Sequence, residues 1–189
     1  IIMEDKDLIS SYLAGNEKSF ERLIDRYTKP IFGFIFRLVK DLGIAEDLTQ
    51  ETFLKVWKNF KKFNQEKNFR TWIFAIARNT VWDFLRKKKP ILFAELELKE
   101  ENFLKNNLVD EKFLPDKIIH DAQAIEFLEE VLKKLSLPQQ TILWLYFKEG
   151  FTLREISEIL GESPNTVKSR YQRALKELKK FFPERRDAP

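Results

Sequence analysis

The sequence predicts an all-α protein of two small helical domains joined by a flexible acidic linker, the C-terminal domain carrying a helix-turn-helix. Three observations predict it. Apolar residues recur at three/four spacing along most of the chain, while strand-type alternation is rare. Glycine is scarce, 5 in 189 residues. Between residues 91 and 121 the helical period fails and acidic residues take over. With 43% hydrophobic residues, 18 of the 189 being Phe, the chain can bury real cores.

Asp5 to Ala14 reads as a short amphipathic helix that ends at Gly15-Asn16. The start, Ile1-Ile2-Met3, fits an upstream extension or a natural start at Met3. A long helix follows from about Glu17 to Lys40, with Phe20, Leu23, Ile24, Tyr27, Ile31, Phe34, Ile35 and Leu38 on its buried side. Pro30 removes one backbone hydrogen bond, so a kink or break is expected there. Asp41-Leu42-Gly43 makes a turn into a third helix, Ile44 to about Phe60, whose apolar side carries Leu48, Thr52, Phe53, Lys55, Val56 and Trp57. Its first turns expose Glu46, Asp47, Gln50 and Glu51, and its far end carries Lys58, Lys61 and Lys62. Acids at a helix N-terminus are favoured by the macrodipole, which accounts for some of this polarity without a partner.

After the polar loop Phe63–Lys67, the stretch Phe69 to Lys89 separates into two faces. Phe69, Trp72, Ile73, Ile76, Ala77, Thr80, Val81, Phe84 and Leu85 form an apolar stripe. Arg70, Phe74, Arg78, Trp82 and Arg86 form an i+4 ladder of cations alternating with aromatic rings, with Asn79 and Asp83 alongside. Cations suit phosphates and flat rings suit bases. A solvated face bordered by core aromatics would show the same pattern. From Lys61 to Lys89 the basic residues oppose only Glu66 and Asp83, the footprint of a polyanion partner, until Pro90 stops the helix.

The acidic stretch 91–121, interrupted by Asn106-Asn107 and Pro115, reads as the linker, and its His120 is given no role. Ala122 to Leu135 is again amphipathic, and Pro138 opens the next helix at a first-turn position. Thr152 with Glu155 is a capping box opening FTLREISEIL. Gly161 ends that helix, Ser163 caps the next, and Pro164 takes its first position. Helix, short turn with Gly, then helix is the helix-turn-helix pattern. Ile156, Ile159, Leu160, Val167, Tyr171 and Leu175 supply its apolar seam. Asn165, Thr166, Lys168, Ser169, Arg170 and Arg173 then occupy the half of the second helix that enters a major groove in such proteins. An αα-hairpin with a polar face is the plainer alternative.

Composition narrows the function. Zero cysteines exclude disulfides, thiolate chemistry and cysteine-ligated zinc, and one histidine leaves no room for a Ser-His-Asp triad or a multi-histidine metal site. No apolar run approaches the roughly 20 residues that cross a bilayer. No signal peptide precedes the acidic start Glu4–Asp7, so a cytoplasmic protein is expected. Neither a cofactor nor a metal is expected, and no Gly-rich phosphate loop supports an enzyme.

Two blocks carry a family resemblance: AEDLTQETFLKVW (45–57) followed by FRTWIFAIARNTVWDFLR (69–86), and LPQQTILWLYFKEGFTLREISEILGESPNTVKSRYQRALKEL (137–178). Together they resemble the extracytoplasmic-function (ECF) sigma factors of the sigma-70 family, over nearly the whole chain. The resemblance implies a promoter-specificity subunit of RNA polymerase, not an enzyme. Its domains would be 1–90 for core binding and −10 recognition and melting, 91–121 for the linker, and 122–189 for −35 reading. It implies core-polymerase binding by Asp47, Leu48, Gln50, Glu51 and Phe53, chiefly to a β′ coiled coil, with β as a further contact. It places −10 DNA on Phe63, Asn64, Phe69, Arg70, Phe74, Arg78, Asn79, Trp82, Asp83 and Arg86. It places −35 DNA on Thr152, Arg154, Ser163, Asn165, Thr166, Lys168, Ser169, Arg170 and Arg173. Core RNA polymerase, promoter DNA and an anti-sigma factor, which could hold the chain at a membrane, are the implied partners; no small-molecule substrate and no membrane insertion are implied. Trp82 is bulkier than the family pattern suggests, and Ala75 stands where a basic residue is more usual. A free-standing helix-turn-helix regulator is the alternative, but it has no need of an acidic docking block beside a basic aromatic helix.

Overall fold

Buried stripes at helical spacing place the long segments as helices, and the computed structural model describes residues 3–88 and 135–181 in that form, with no strand among them. The linker 91–121, His120, Pro90 and nearly all of the helix expected over 122–135 lie outside the described residues. The chain forms two compact units.

The N-terminal unit is built from α1 (Asp5–Leu13), α2 (Glu17–Val39), α3 (Leu42–Asn59), a 3-10 turn (Phe60–Lys62) and α4 (Phe69–Lys88). α1 buries Leu8 and Ile9 and is followed by Gly15 at φ 101°, a conformation that only glycine adopts without strain. α2 buries Leu23, Tyr27, Ile31, Phe34, Ile35 and Leu38, a stripe at three/four spacing. Of the kink or break expected at Pro30, the break does not occur, since α2 runs through the proline as one helix. Packing of the stripe on both sides of Pro30 holds the helix together despite the missing N–H. α2 ends on Lys40, whose left-handed φ of 54° aims its N–H at the Phe36 carbonyl, 2.8 Å away. The carboxylate of Asp41 then accepts from the Ile44 N–H at 2.9 Å, so the helix begins at Leu42 and absorbs the expected turn.

α4 packs on α2 and α3 at once. Its buried arc therefore extends beyond one stripe and takes in Phe69, Thr71, Ile73, Phe74, Ala77, Thr80, Val81 and Leu85. Phe74 is 0% exposed, and its ring meets that of Phe34 edge-on at 5.4 Å between centroids. Trp72, Ile76 and Phe84, expected in the core, are only half-buried. Trp57, expected on the apolar side of α3, is 55% exposed.

The C-terminal unit comprises α5 (Leu137–Leu143), a π-helical turn (Trp144–Lys148), α6 (Leu153–Leu160) and α7 (Pro164–Phe181). The Gln139 carboxamide oxygen accepts from the Ser136 N–H at 2.9 Å and closes the start of α5. Leu135, Leu143 and Ala174 are buried together, with Tyr171, Leu175 and Leu178 against them. Ile156, Ile159, Leu160 and Val167 are buried as the seam requires.

Phe74→Ala should destabilise the N-terminal unit by about 3–5 kcal/mol. Trp82→Ala, which loses a half-exposed ring and its cation–π partner, should cost about 1 kcal/mol. Urea denaturation followed by circular dichroism compares the two; equal losses would refute the assignment of Phe74 to the core.

Candidate nucleic-acid interface

The face expected for melted DNA loses three of its four rings to the core. Phe74 stands under the Phe34 ring, and Phe69 and Phe63 are 4% and 8% exposed. The cause lies in the loop: Phe60, Phe63, Phe69 and Trp72 form an aromatic cluster with Tyr27, in which Phe63 lies 5.4 Å from Phe69 and 4.7 Å from Trp72. Phe63 and Phe69 therefore shape the loop and Phe74 packs on α2; none of the three presents a stacking surface, which corrects the ladder at Phe74 and the contacts that the resemblance implied at Phe63 and Phe69. What stays at the surface of α4 is polar or cationic around one indole. Arg70, Arg78, Trp82 and Asp83 are half-exposed, and Asn79 and Arg86 are exposed. The Arg78 guanidinium lies 4.8 Å from the Trp82 ring centroid and donates to Asn79 Oδ1 at 2.9 Å. Trp82 is thus neither a core-closing residue nor a bare plate: one ring face carries a cation.

The loop 63–68 is itself fixed. Asn64 Oδ1 accepts from the Glu66 N–H at 2.9 Å, and Asn68 Oδ1 from the Thr71 N–H at 3.3 Å. Beside it opens a cavity of about 660 Å³ lined by Asp5, Arg26, Tyr27, Lys67, Asn68 and Phe69, among others. The Tyr27 hydroxyl donates to Asp5, which also pairs with Arg26. Burial, then the bond to Asp5, pushes the phenol well above its ordinary pKa, so it remains a donor at every physiological pH.

On α3, Asp47, Gln50 and Glu51 are exposed, Phe53 is half-buried and Leu48 is 3% exposed. Leu48 is a core residue and not a docking contact; it stands one turn before Thr52 and two before Val56 on the buried side of α3. The first turn of α3 holds no acidic residue, because the helix starts at Leu42. The macrodipole acts mainly within that turn, so it does not explain the acids of the second and third turns. Two residues missed by the sequence reading adjoin them. Leu54 and Trp57 are 56% and 55% exposed, and with Phe20, Ile24, Gln50 and Phe53 they line an apolar groove of about 480 Å³. The period-3.6 pattern that assigned Trp57 to the core could not show that α2 and α4 leave this edge of α3 uncovered.

The helix-turn-helix has the expected ends. Thr152 and Glu155 close a reciprocal capping box, N–H to Oε2 at 2.8 Å and the Glu155 N–H to Oγ1 at 3.2 Å. Gly161 takes φ 63° after α6, and Ser163 Oγ accepts from the Thr166 N–H at 3.1 Å. Thr152, Ser163 and Thr166 therefore spend their hydroxyls on helix ends. Arg154, Asn165, Lys168 and Arg173 are exposed, and Ser169 is half-exposed. Arg170 is held in an ion pair by Glu162, from the turn between the helices. A half-exposed pair of this kind is worth little on its own and opens readily to a competing phosphate. No group of acidic or histidine side chains able to hold a metal ion occurs among the described residues, and no helix among them is long and apolar enough to cross a membrane.

Residues 23–91 match the family model of sigma-70 region 2, and residues 126–178 that of sigma-70 region 4. The RNA polymerase sigma factor YlaC of Bacillus subtilis (strain 168) is 31% identical over 169 residues, spanning 89% of this chain and 95% of that protein. The sigma factor SigV of the same organism is 33% identical over 153 residues, 81% of this chain and 84% of that protein. Among solved structures, the chain is similar to the sigma factor RpoE in complex with the anti-sigma factor NepR from Bartonella quintana. That likeness has a TM-score of 0.61 and 25% identity, and covers 89% of this chain and 99% of that one.

Glu162→Gln, which weakens the hold on Arg170, should raise affinity for duplex DNA about two- to fivefold at low salt. A fluorescence-anisotropy titration reads this directly, and an unchanged affinity would mean that Arg170 stays with Glu162 in the complex.

Proposed function

The chain belongs to the sigma-70 family of RNA polymerase sigma factors, in its extracytoplasmic-function group, and we propose how its two units divide the recognition of a promoter. It is a promoter-specificity subunit that binds core RNA polymerase and promoter DNA and enables initiation. Such subunits recognise DNA and are not catalysts; the reacting metals belong to the polymerase. Residues 1–90 bind core and open the −10 element, residues 91–121 link, and residues 122–189 read the −35 element. The chain acts in the cytoplasm, where the polymerase is.

The observation that carries this division is the pairing, within one helical unit, of an acidic edge bordering an apolar groove with a basic face around one indole. Core polymerase docks on Asp47, Gln50, Glu51 and Phe53, with Leu54 and Trp57 as its apolar anchor. Exposed apolar residues rimmed by acids suit a partner surface that is itself amphipathic and basic. On α4, Arg70, Arg78, Asn79 and Arg86 hold backbone and bases of the opened strand, and Trp82 offers the ring on which a base can stack. The fixed loop carrying Asn64 supplies polar contacts beside them. On α7, Arg173, Lys168 and Asn165 meet duplex edges or phosphates, with Arg170 joining once it leaves Glu162. A complex of the similar RpoE with NepR supports an anti-sigma factor as the partner that occupies these surfaces in the inactive state. With no cysteine in this chain, any thiol-based sensing would belong to that partner.

Adding the purified chain to core polymerase should permit promoter-dependent run-off transcription. Reversing charge at Asp47 and Glu51 to Lys should weaken core binding at least about tenfold, since both face the partner, without lowering duplex affinity of the isolated chain. Arg173→Ala should cost about 1–3 kcal/mol at one base position, or reduce the salt slope of binding by about one if the contact is to phosphate. A chain that never binds core would sink the division of roles; an Arg173→Ala variant with unaltered affinity and slope would remove that residue from it.

A further inference from the structure

The loop 63–68 is held at both ends by a helix that precedes the residues matched to sigma-70 region 2. α1 spans Asp5–Leu13, whereas that match begins at residue 23. At the entry to the loop, the Tyr12 ring of α1 meets the Phe60 ring edge-on at 4.8 Å between centroids. The Phe60 carbonyl then accepts from the Phe63 N–H at 3.0 Å. At the exit, the Tyr27 ring meets that of Phe69, the first residue of α4, at 5.6 Å. The Tyr27 hydroxyl in turn donates to Asp5 of α1, a carboxylate that also pairs with Arg26. Phe60 and Phe69 close the row, 5.8 Å apart. Four rings, Tyr12, Phe60, Phe69 and Tyr27, thus run across the base of the loop, and both ends of the row are fastened to one nine-residue helix. α1 is itself seated on α2, with Leu8 and Ile9 buried and Ser19 Oγ donating to Ser11 Oγ at 2.8 Å.

The loop needs such a fastening. Phe63 and Phe69 are buried, but 64–68 between them are exposed. Gln65 to Asn68 border the cavity of about 660 Å³, whose lining also includes Asp5, Lys6 and Ile9 of α1. A loop beside a cavity takes its shape from where its ends are held and from its own turns, here those of Asn64 and Asn68. If its ends loosen, a bound strand must order the loop, and that ordering cost is subtracted from affinity. Arg78 and Arg86 stand instead on α4, which α2 and α3 clamp, so their hold on phosphate does not pass through α1. We propose that α1 is a splint for the promoter-holding loop, with Asp5 and Tyr12 as positioning residues that preorganise 63–68 and so sharpen the choice among single-stranded −10 sequences. The splint's part in recognition rests on the assignment of this loop to the −10 strand.

Two measurements on the full-length chain test it. Hydrogen exchange read by mass spectrometry on peptides covering 63–68 reports the splint without DNA. Tyr27→Phe removes the hydroxyl but keeps the ring on Phe69; it and Asp5→Ala should each speed exchange there about threefold or more. The double variant should match Asp5→Ala alone, since the two act through one bond. Tyr12→Leu should speed exchange from the other end, Tyr12→Phe should restore it, and Asp7→Asn, exposed on the same helix, should leave it unchanged. Recognition is read with two fluorescein-labelled single-stranded 12-mers: the sequence that the unaltered chain enriches most from a randomised pool, and its scrambled counterpart. Their affinity ratio should fall about threefold in Asp5→Ala and in Tyr12→Leu, while binding of the scrambled strand shifts no more than in Asp7→Asn. Unchanged exchange at 63–68 in the Asp5 and Tyr12 variants would overturn the splint. Faster exchange with an unaltered ratio, or an equal loss on both strands, would overturn the positioning role. A pool from which no sequence is enriched would instead sink the assignment of the loop to the −10 strand, a result on which the exchange measurement does not depend.

Discussion

The seating of α4 against two helices at once is the constraint on which the N-terminal unit depends. A helix touching one neighbour needs one apolar stripe and can give the rest of its surface to solvent. α4 touches α2 through Phe74 on Phe34 and touches α3 through the side on which Thr80 meets Lys55, so its covered arc is wide. What remains outside is a narrow strip holding Arg70, Arg78, Asn79, Trp82 and Arg86. The narrowness of the strip crowds cations and a single indole on a rigid helix whose rotation about its own axis is fixed by packing, which suits the DNA-holding role proposed for it. The same clamping leaves the far edge of α3 uncovered, and there the acids and the apolar groove lie. One packing decision places both surfaces.

The C-terminal unit is organised differently. Its core is small, Leu135, Leu143 and Ala174 with a few half-buried neighbours, and its geometry is set largely by how its helices begin and end. A capping box at Thr152, a left-handed Gly161 and the Ser163 cap each satisfy backbone groups that would otherwise be orphaned. Together they fix the turn that presents α7. Polar residues in this turn are therefore chiefly architectural, and the proposed DNA contacts fall to the next residues along, Asn165, Lys168, Arg170 and Arg173.

How much of this was legible in the sequence depends on the range of the forces involved. Caps, turns and helix phases are local, and Thr152, Glu155, Gly161, Ser163 and Pro164 announced their roles in a window of a few residues. The apolar period likewise placed Leu23, Tyr27, Ile31, Phe34 and Leu38 correctly. Errors arose where burial is set by a second neighbour. Phe74 was read as surface because it shares a helical row with arginines, yet α2 covers it. Trp57 was placed on the apolar side because it shares a row with apolar residues, yet its neighbours leave more than half of it exposed. At Pro30, where a kink or a break was expected, long-range packing carries the helix through without a break. The contact of Asp5 with Tyr27 could not be read from spacing, since it joins residues 22 positions apart in sequence.

The exposure of Trp57 has an optical consequence. Of the four tryptophans in the chain, Trp57 alone is described as fully on the exposed side, at the lip of an apolar groove. An indole in that position emits at the red end of its range and moves to the blue as water leaves its surroundings. Whatever fills the groove will therefore change the colour of the protein's own fluorescence, whereas DNA on α4 would act on the Trp82 ring instead, chiefly by quenching it through stacking. The molecule carries separate built-in reporters for its two surfaces, and the order in which they are occupied is open to stopped-flow observation without any attached dye.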